Sequence, residues 1–330
     1  MKAFKILLSL FLIFILFVGI GVFTIYTLTQ PPKGEMVEYK LNVPSGASYF
    51  SVSKVLEEKG IIKNAKVFYY YSRYKNASLK SGVYRVNSKM SFEELYSFLN
   101  TGKQEYISVS IPEGLTISAV AKLIEEKEIA SAAEFTELCH DKEFLKKYNI
   151  PSVSAEGYLF PDTYYFTSGM EVSDVISMMI ENFYTKINSI EAAKNLTHNE
   201  LHEIVKLASI VEKEYKVPAE APLIASVFKN RLRYNIGLYS CATIIYIITE
   251  ELGLPHPDVV KYSDLEIESP YNTYKHAGLT PTPISNPGLI ALDAAINTPK
   301  TKYFFFRVAD EAKGTHVFTT DFEDHIEAGN

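Results

Sequence analysis

From Ile6 to Thr29 the chain reads ILLSLFLIFILFVGIGVFTIYTLT, without a single charged residue. About 20 consecutive apolar residues are enough to cross a bilayer as a helix, and the apolar core of a cleavable signal is shorter. No small-residue cleavage site is evident and no cysteine directly follows to carry a lipid, so the run predicts an uncleaved anchor. Lys2 and Lys5 precede it, and flanking lysines stay in the cytoplasm. The expected layout is a cytoplasmic tail at 1–5, a single transmembrane helix at 6–29, and residues 35–330 outside the plasma membrane. Enzymes in that compartment lack ATP, which favours hydrolytic or lytic chemistry on an external polymer.

Beyond the anchor there is room for two or three domains in 330 residues. The net charge of -6 argues against a nucleic-acid groove, which needs clustered Lys and Arg. Cys139 and Cys241 form no C-x-x-C pattern, and no Cys/His cluster suggests a metal; no cofactor is implied either. QPPKGE (30–35) reads as a short stiff linker. VEYKLNVPSG then reads as strand and turn, SVSKVLEEKG as a helix closed by Gly60, AKVFYYYSRY as a second helix and GVYRVN as a strand. SFEELYSFLNTG carries a capping box, Ser91 with Glu94, and ends at Gly102. An internal repeat follows: VPSG at 43–46 matches IPEG at 111–114, and VLEEKGII at 55–62 matches LIEEKEIA at 123–130. Both copies are strand, turn and amphipathic helix. They are either one turn-to-helix solution used twice or a pair of LysM-like units, small βα modules often used to hold glycan.

Helices are expected at 132–147, 171–187, 198–215 and 221–234, and in LIALDAAIN. KYFFFRVA and THVFTT read as a hairpin. The fold class is α+β: the transmembrane helix, a LysM-like region at 36–130, and a mixed, largely helical domain at 131–330.

The helix ending in IVEKE raises the chemical question. Ile204, Leu207, Ala208 and Val211 mark its apolar stripe, with Lys206, Ser209 and Lys213 opposite. At 100° per residue Glu212 and Glu214 fall on the two flanks of the stripe. Partial desolvation raises a carboxyl pKa, and the negative end of a helix disfavours an anion. Glu214 is the nearer to that end, close before Pro218. Both effects keep a proton on the acid, as a general acid for glycosidic cleavage requires. The alternative is a pair of glutamates in salt bridges at a helix end. Ordinary glycosidases need two carboxylates. A lytic transglycosylase works with one, because the muramyl C6 hydroxyl supplies the nucleophile and closes a 1,6-anhydro ring. AEGYLFPDTYYF (155–166) offers aromatic faces that suit sugar rings together with Glu156, Tyr158 and Asp162, or else a packed βα corner set by Pro161. SPYNTYKHAGLTPTPISNPG (269–288) reads as a rigid binding rim in which Tyr271, Asn272 and Tyr274 are candidate sugar contacts. His316, in a strand, is more commonly a structural histidine than a catalytic one.

Taken together, IPEG, EGYLFPDTYYF, ASIVEKE, VFKNRL, SPYNTY, GLTPTPISNPG and THVF resemble, in order, the motifs of the YceG-like (MltG) endolytic murein transglycosylases. The resemblance covers most of the region beyond the anchor. It implies cleavage of nascent peptidoglycan strands between MurNAc and GlcNAc near the membrane, with peptidoglycan as substrate and cell-wall synthases as expected partners. It also implies that the acid is the second glutamate of E-K-E, here Glu214. Departures are present: Tyr215 stands where the family usually has Thr. LYSCATIIY (238–246) stands where the family reads like L-Q-S-D-P-T-V-I-Y, which keeps Ser240 and Thr243 and places Tyr239, Cys241 and Ala242 at the changed positions. Cys241 is therefore expected at the rim of the cleft and not in a disulfide with Cys139. Three readings stay open at this point: an active lytic transglycosylase, a glycan-binding scaffold with weakened catalysis, and a hydrolase pairing Glu214 with Glu156 or Asp162.

Overall fold

The computed structural model describes residues 2–44, 46–102, 106–167 and 170–327; Ser45 of the expected VPSG turn and residues 328–330 lie outside them. The chain divides into two compact units, Met1–Ile107 with Thr167–Met170, and Ser108–Phe166 with Glu171–Asn330. Secondary structure is mixed α/β, with three two-stranded sheets among the described residues.

In the first unit, α1 (Lys2–Thr29) runs back through the stretch read as a tail. Its Leu10–Thr29 portion has a mean hydropathy of 2.5 and none of it is buried, so by length and composition it can span a bilayer. After it come β1 (Glu38–Val43), α2 (Tyr49–Glu58), α3 (Ala65–Tyr74), β2 (Gly82–Asn87) and α4 (Phe92–Thr101). Strands β1 and β2 pair antiparallel, with Leu41 opposite Tyr84. Alternation along the strands sends Leu41, Val43 and Val86 inward to meet Leu56, Phe68, Leu95 and Leu99. Helices α2, α3 and α4 each start at a side-chain cap: Ser48 accepts from Ser51 N, Asn64 from Val67 N, and Ser91 with Glu94 completes the expected capping box.

The second unit takes in most of β3 (Tyr106–Ser110), then α5 (Ile117–Glu126), α6 (Ala132–Cys139), α7 (Lys142–Lys147), β4 (Thr163–Thr167), α8 (Val172–Ile187), α9 (His198–Glu214), α10 (Ala221–Arg233), α11 (Cys241–Tyr246), α12 (Leu289–Ile296), β5 (Phe305–Asp310), β6 (Thr315–Thr319) and α13 (Phe322–Glu327). The division between units falls just ahead of the second repeat copy, so the two copies belong to different units. The helix expected over 132–147 is two helices, because Asp141 accepts from Phe144 N at 2.7 Å and starts a new one. The expected hairpin is β5 paired antiparallel with β6.

Helix α9 is the axis of this unit and packs against α10 and α12. Its start is a second capping box, Thr197 with Glu200. The expectation of a wet face through Ser209 is corrected here: Ser209 is fully buried. The loop before α12 covers it, with Ile284 N donating to Ser209 Oγ at 3.0 Å and Ser285 Oγ donating to Ser209 O at 3.0 Å.

Asn286, in the same loop, ties three segments together. Its Oδ1 accepts from Gly157 N and Leu159 N, each at 2.9 Å. Its Nδ2 donates to Leu115 O at 2.9 Å and to Glu156 Oε1 at 3.0 Å. Its backbone bonds the 111–115 turn twice, through Asn286 N to Leu115 O and Gly114 N to Asn286 O. Gly157 is required beside it: φ is +88°, and a Cβ would lie 2.6 Å from Val205 and 2.7 Å from Pro283. Asn286→Ala leaves two buried N–H groups without acceptors, each costing about 1–3 kcal/mol. The second unit should lose about 3 kcal/mol or more of stability, read as a lowered denaturant midpoint; an unchanged midpoint would show that the hub is dispensable.

Candidate active site

Glu214 is the last residue of α9. Its carboxylate lines a cavity of about 380 Å³ together with Phe228 and Arg231 of α10, Leu238 to Cys241, Phe305 and Phe306 of β5, and Phe322 and His325 of α13. Among the described lining residues it is the only carboxylate. Ser240 Oγ donates to Glu214 Oε1 at 2.5 Å. Burial pushes the Glu214 pKa upward; the Ser240 hydrogen bond and the positive fields of His316 and Arg231 pull against it. The net direction is up, so the group is biased toward carrying a proton.

Ser240 is held from behind. Its backbone N donates to Thr273 Oγ1 at 3.2 Å, and its carbonyl accepts from Thr243 Oγ1 at 2.8 Å. Thr243 and Thr273 share a further hydroxyl contact at 2.9 Å. Thr243 is fully buried and so supports Ser240 without facing the cavity. Arg231 is buried and pinned by two carbonyls, Phe304 O at 2.7 Å and Leu238 O at 2.6 Å. His316 is buried against Glu220, its Nδ1 2.7 Å from Glu220 Oε2 and its backbone N donating to the same carboxylate.

Glu212 takes the other flank of α9, as the helical geometry predicts. Its Oε2 accepts from Gly288 N at 2.8 Å, and Tyr215 OH donates to its Oε1 at 3.3 Å. Burial, with Glu113 adding like-charge repulsion, raises its pKa to about 7. It therefore braces the start of α12 and does not line the acid's cavity.

Several expected sugar contacts have inward roles instead. Glu156 is buried, accepts from Ile117 N at the start of α5, and has its pKa raised to about 8 by burial. Tyr158 is buried with its hydroxyl 2.9 Å from His202 Nδ1. Asn272 is fully buried and donates to Leu265 O and Ile267 O. Direct sugar contact by these three is thus excluded by burial. Asp162 pairs with Lys186 at 3.1 Å and accepts from Asn182. Tyr271 is half-buried, with its hydroxyl 2.7 Å from Thr282. Tyr274 is half-buried beside the cavity, 3.1 Å from Cys241 Sγ. Cys241 lines the cavity and is not bonded to Cys139; both cysteines are free.

Sequence reasoning missed Glu220, Arg231 and the aromatic wall of Phe305, Phe306 and Phe322. Arg231 carried a signal: it stands three residues after Phe228, on the apolar stripe of its helix. A buried arginine there must be paired or hydrogen-bonded.

The YceG-like family model matches residues 41–330, and the chain belongs to that family. An endolytic murein transglycosylase of Bacillus subtilis (strain 168) is 33% identical over 315 residues, spanning 90% of this chain and 85% of the relative. One from Streptococcus pneumoniae (serotype 2, strain D39) is 32% identical over 322 residues, spanning 86% of this chain and 56% of the relative. The crystal structure of a YceG-like protein from Listeria monocytogenes matches with a TM-score of 0.60 at 30% identity, covering 89% of this chain and 99% of that one.

Glu156 and Glu212 have raised folded pKa values, about 8 and about 7 against 4.5. Between those limits the folded chain holds protons that the unfolded chain releases, so stability falls as pH rises. Their contribution should be complete below about pH 4.5 and largely lost by pH 8, on the order of 3–5 kcal/mol for each group. Glu156→Gln should flatten that fall in denaturant unfolding followed from pH 5 to 8.5; an unaltered slope would show that Glu156 is ionised throughout.

Proposed function

We propose that this chain is a membrane-anchored lytic transglycosylase that cuts nascent peptidoglycan strands internally, between MurNAc and GlcNAc, and so terminates glycan elongation. The observation that carries the reading is a single carboxylate, Glu214, biased toward its protonated form in an aromatic-walled cavity and oriented by Ser240. Protonated Glu214 gives its proton to the glycosidic oxygen as the C1–O bond breaks. The C6 hydroxyl of the same muramyl ring then attacks C1 and returns its proton to Glu214. The products are a free hydroxyl on the leaving strand and a 1,6-anhydroMurNAc end, with no water consumed. The names of the Bacillus and Streptococcus relatives support the same chemistry. A hydrolase pairing is disfavoured because neither Glu156 nor Asp162 lines the cavity.

The anchor reading places α1 across the plasma membrane with Lys2 and Lys5 in the cytoplasm, and both compact units outside, within reach of cell-wall synthases. The β1-α2-α3-β2 arrangement of the first unit would serve as a LysM-like glycan holder.

The test is product analysis with the full-length protein in detergent and purified uncrosslinked glycan strands. Anhydro ends are expected; reducing ends would mean hydrolysis, and no cleavage would mean a binding scaffold. Glu214→Gln keeps the shape and removes the proton donor, so cleavage should fall by about 10²–10⁴. Glu212→Gln should cost far less. If Glu214→Gln cleaves normally, or if Glu212→Gln is folded but dead, the assignment of the acid is wrong. Ser240→Ala removes a hydrogen bond that favours the charged carboxylate. The Glu214 pKa should rise, and the alkaline limb of the pH–rate profile should move to higher pH; a move to lower pH would contradict the role given to Ser240.

A further inference from the structure

Tyr239 is the residue next to the serine that holds the acid, and its backbone is unusual. Its φ is +49°, a strained left-handed conformation that bulky residues rarely adopt. Nothing about an ordinary loop turn needs a tyrosine there; asparagine or glycine would suit the backbone better. The conformation is nonetheless fixed, with Tyr239 N donating to Thr273 O at 3.3 Å. Gly237 lies tight beneath the side chain, since a Cβ on it would sit 2.9 Å from the Tyr239 ring.

The strain places the ring on the rim of the acid's cavity. The Arg231 guanidinium lies over the ring at 5.6 Å from its centroid. The Tyr274 ring meets it at 5.6 Å with the planes inclined by 56°. Even so, Tyr239 remains 48% exposed. Braced by a cation on one side and a second ring at an angle, the residue keeps about half of its surface open to solvent. The C–H face of a pyranose is the complementary surface: apolar, flat, and bearing the weakly positive hydrogens that favour the electron-rich ring face.

We propose that Tyr239, braced by Arg231 and Tyr274, is a sugar-stacking residue that grips the pyranose ring beside the bond held over Glu214. The role rests on the transglycosylase reading. It explains why a strained backbone is tolerated next to Ser240.

The test separates binding from folding and from chemistry. Binding of purified uncrosslinked glycan strands is measured with full-length protein in detergent carrying Glu214→Gln, so that nothing is cut. Adding Tyr239→Asn suits the left-handed backbone but removes the ring. The doubly substituted protein should unfold at a higher temperature and bind strands about tenfold more weakly. Tyr239→Phe should restore binding, because stacking does not need the hydroxyl. In the cleaving protein, the Tyr239→Asn loss should fall on KM more than on kcat. Unchanged binding with Tyr239→Asn, or weakened binding with Tyr239→Phe equal to that with Asn, overturns the stacking role. Failure of the Glu214→Gln parent to bind any strand overturns the transglycosylase reading itself, and the stacking role with it.

Discussion

The second unit depends on one buried amide. Asn286 uses both lone-pair directions of its oxygen and both hydrogens of its nitrogen, and all four bonds go to segments distant in sequence. A buried polar group costs stability unless it is paired, so the amide permits only one mutual placement of the 111–115 turn, the 156–159 segment and the loop before α12. That loop in turn seals α9 through Ser209 and supplies Gly288 to Glu212. The end of α9, and therefore Glu214, is positioned from outside its own helix. This is why motifs scattered along the chain converge here: several of them are the partners of one side chain.

The two glutamates of the α9 terminus illustrate how a helix divides labour. Two residues apart, they project to different sides, and each meets a different electrostatic setting. Glu212 meets a backbone N–H at a helix start, where negative charge is favoured. Glu214 meets aromatic walls, one hydroxyl and two more distant positive groups. Burial raises the pKa of both, but only Glu214 opens onto a space large enough for a sugar ring.

Much of the local structure was legible from sequence because local rules governed it. The capping box at Ser91, the apolar run of α1, and the β5–β6 hairpin follow from short-range pattern. The two flanking glutamates followed from helical period alone. What failed was anything set by distant chain. Ser209 sits opposite the apolar stripe, yet a loop more than seventy positions later covers it. Tyr158 and Asn272 looked like free aromatic and amide contacts, but tertiary hydrogen bonds bury them. The segment over 241–251, α11 followed by a π turn, is too short to show a period. Arg231 is a charge buried, and Glu220 one partly buried, by partners elsewhere in the chain, which no local pattern records.

The cavity around Glu214 is closed on one side by Phe322 and His325 of α13, the final helix described. The acid itself lies near the middle of the unit. Closing so long an intervening stretch is entropically slow relative to forming α9 or its cap. A chain emerging from the ribosome would present Glu214 well before α13 is available to wall it in. Until then the cavity around the carboxylate lacks that wall. The cavity is thereby tied to the making of α13, so that a chain lacking this helix holds Glu214 without its shaped surroundings.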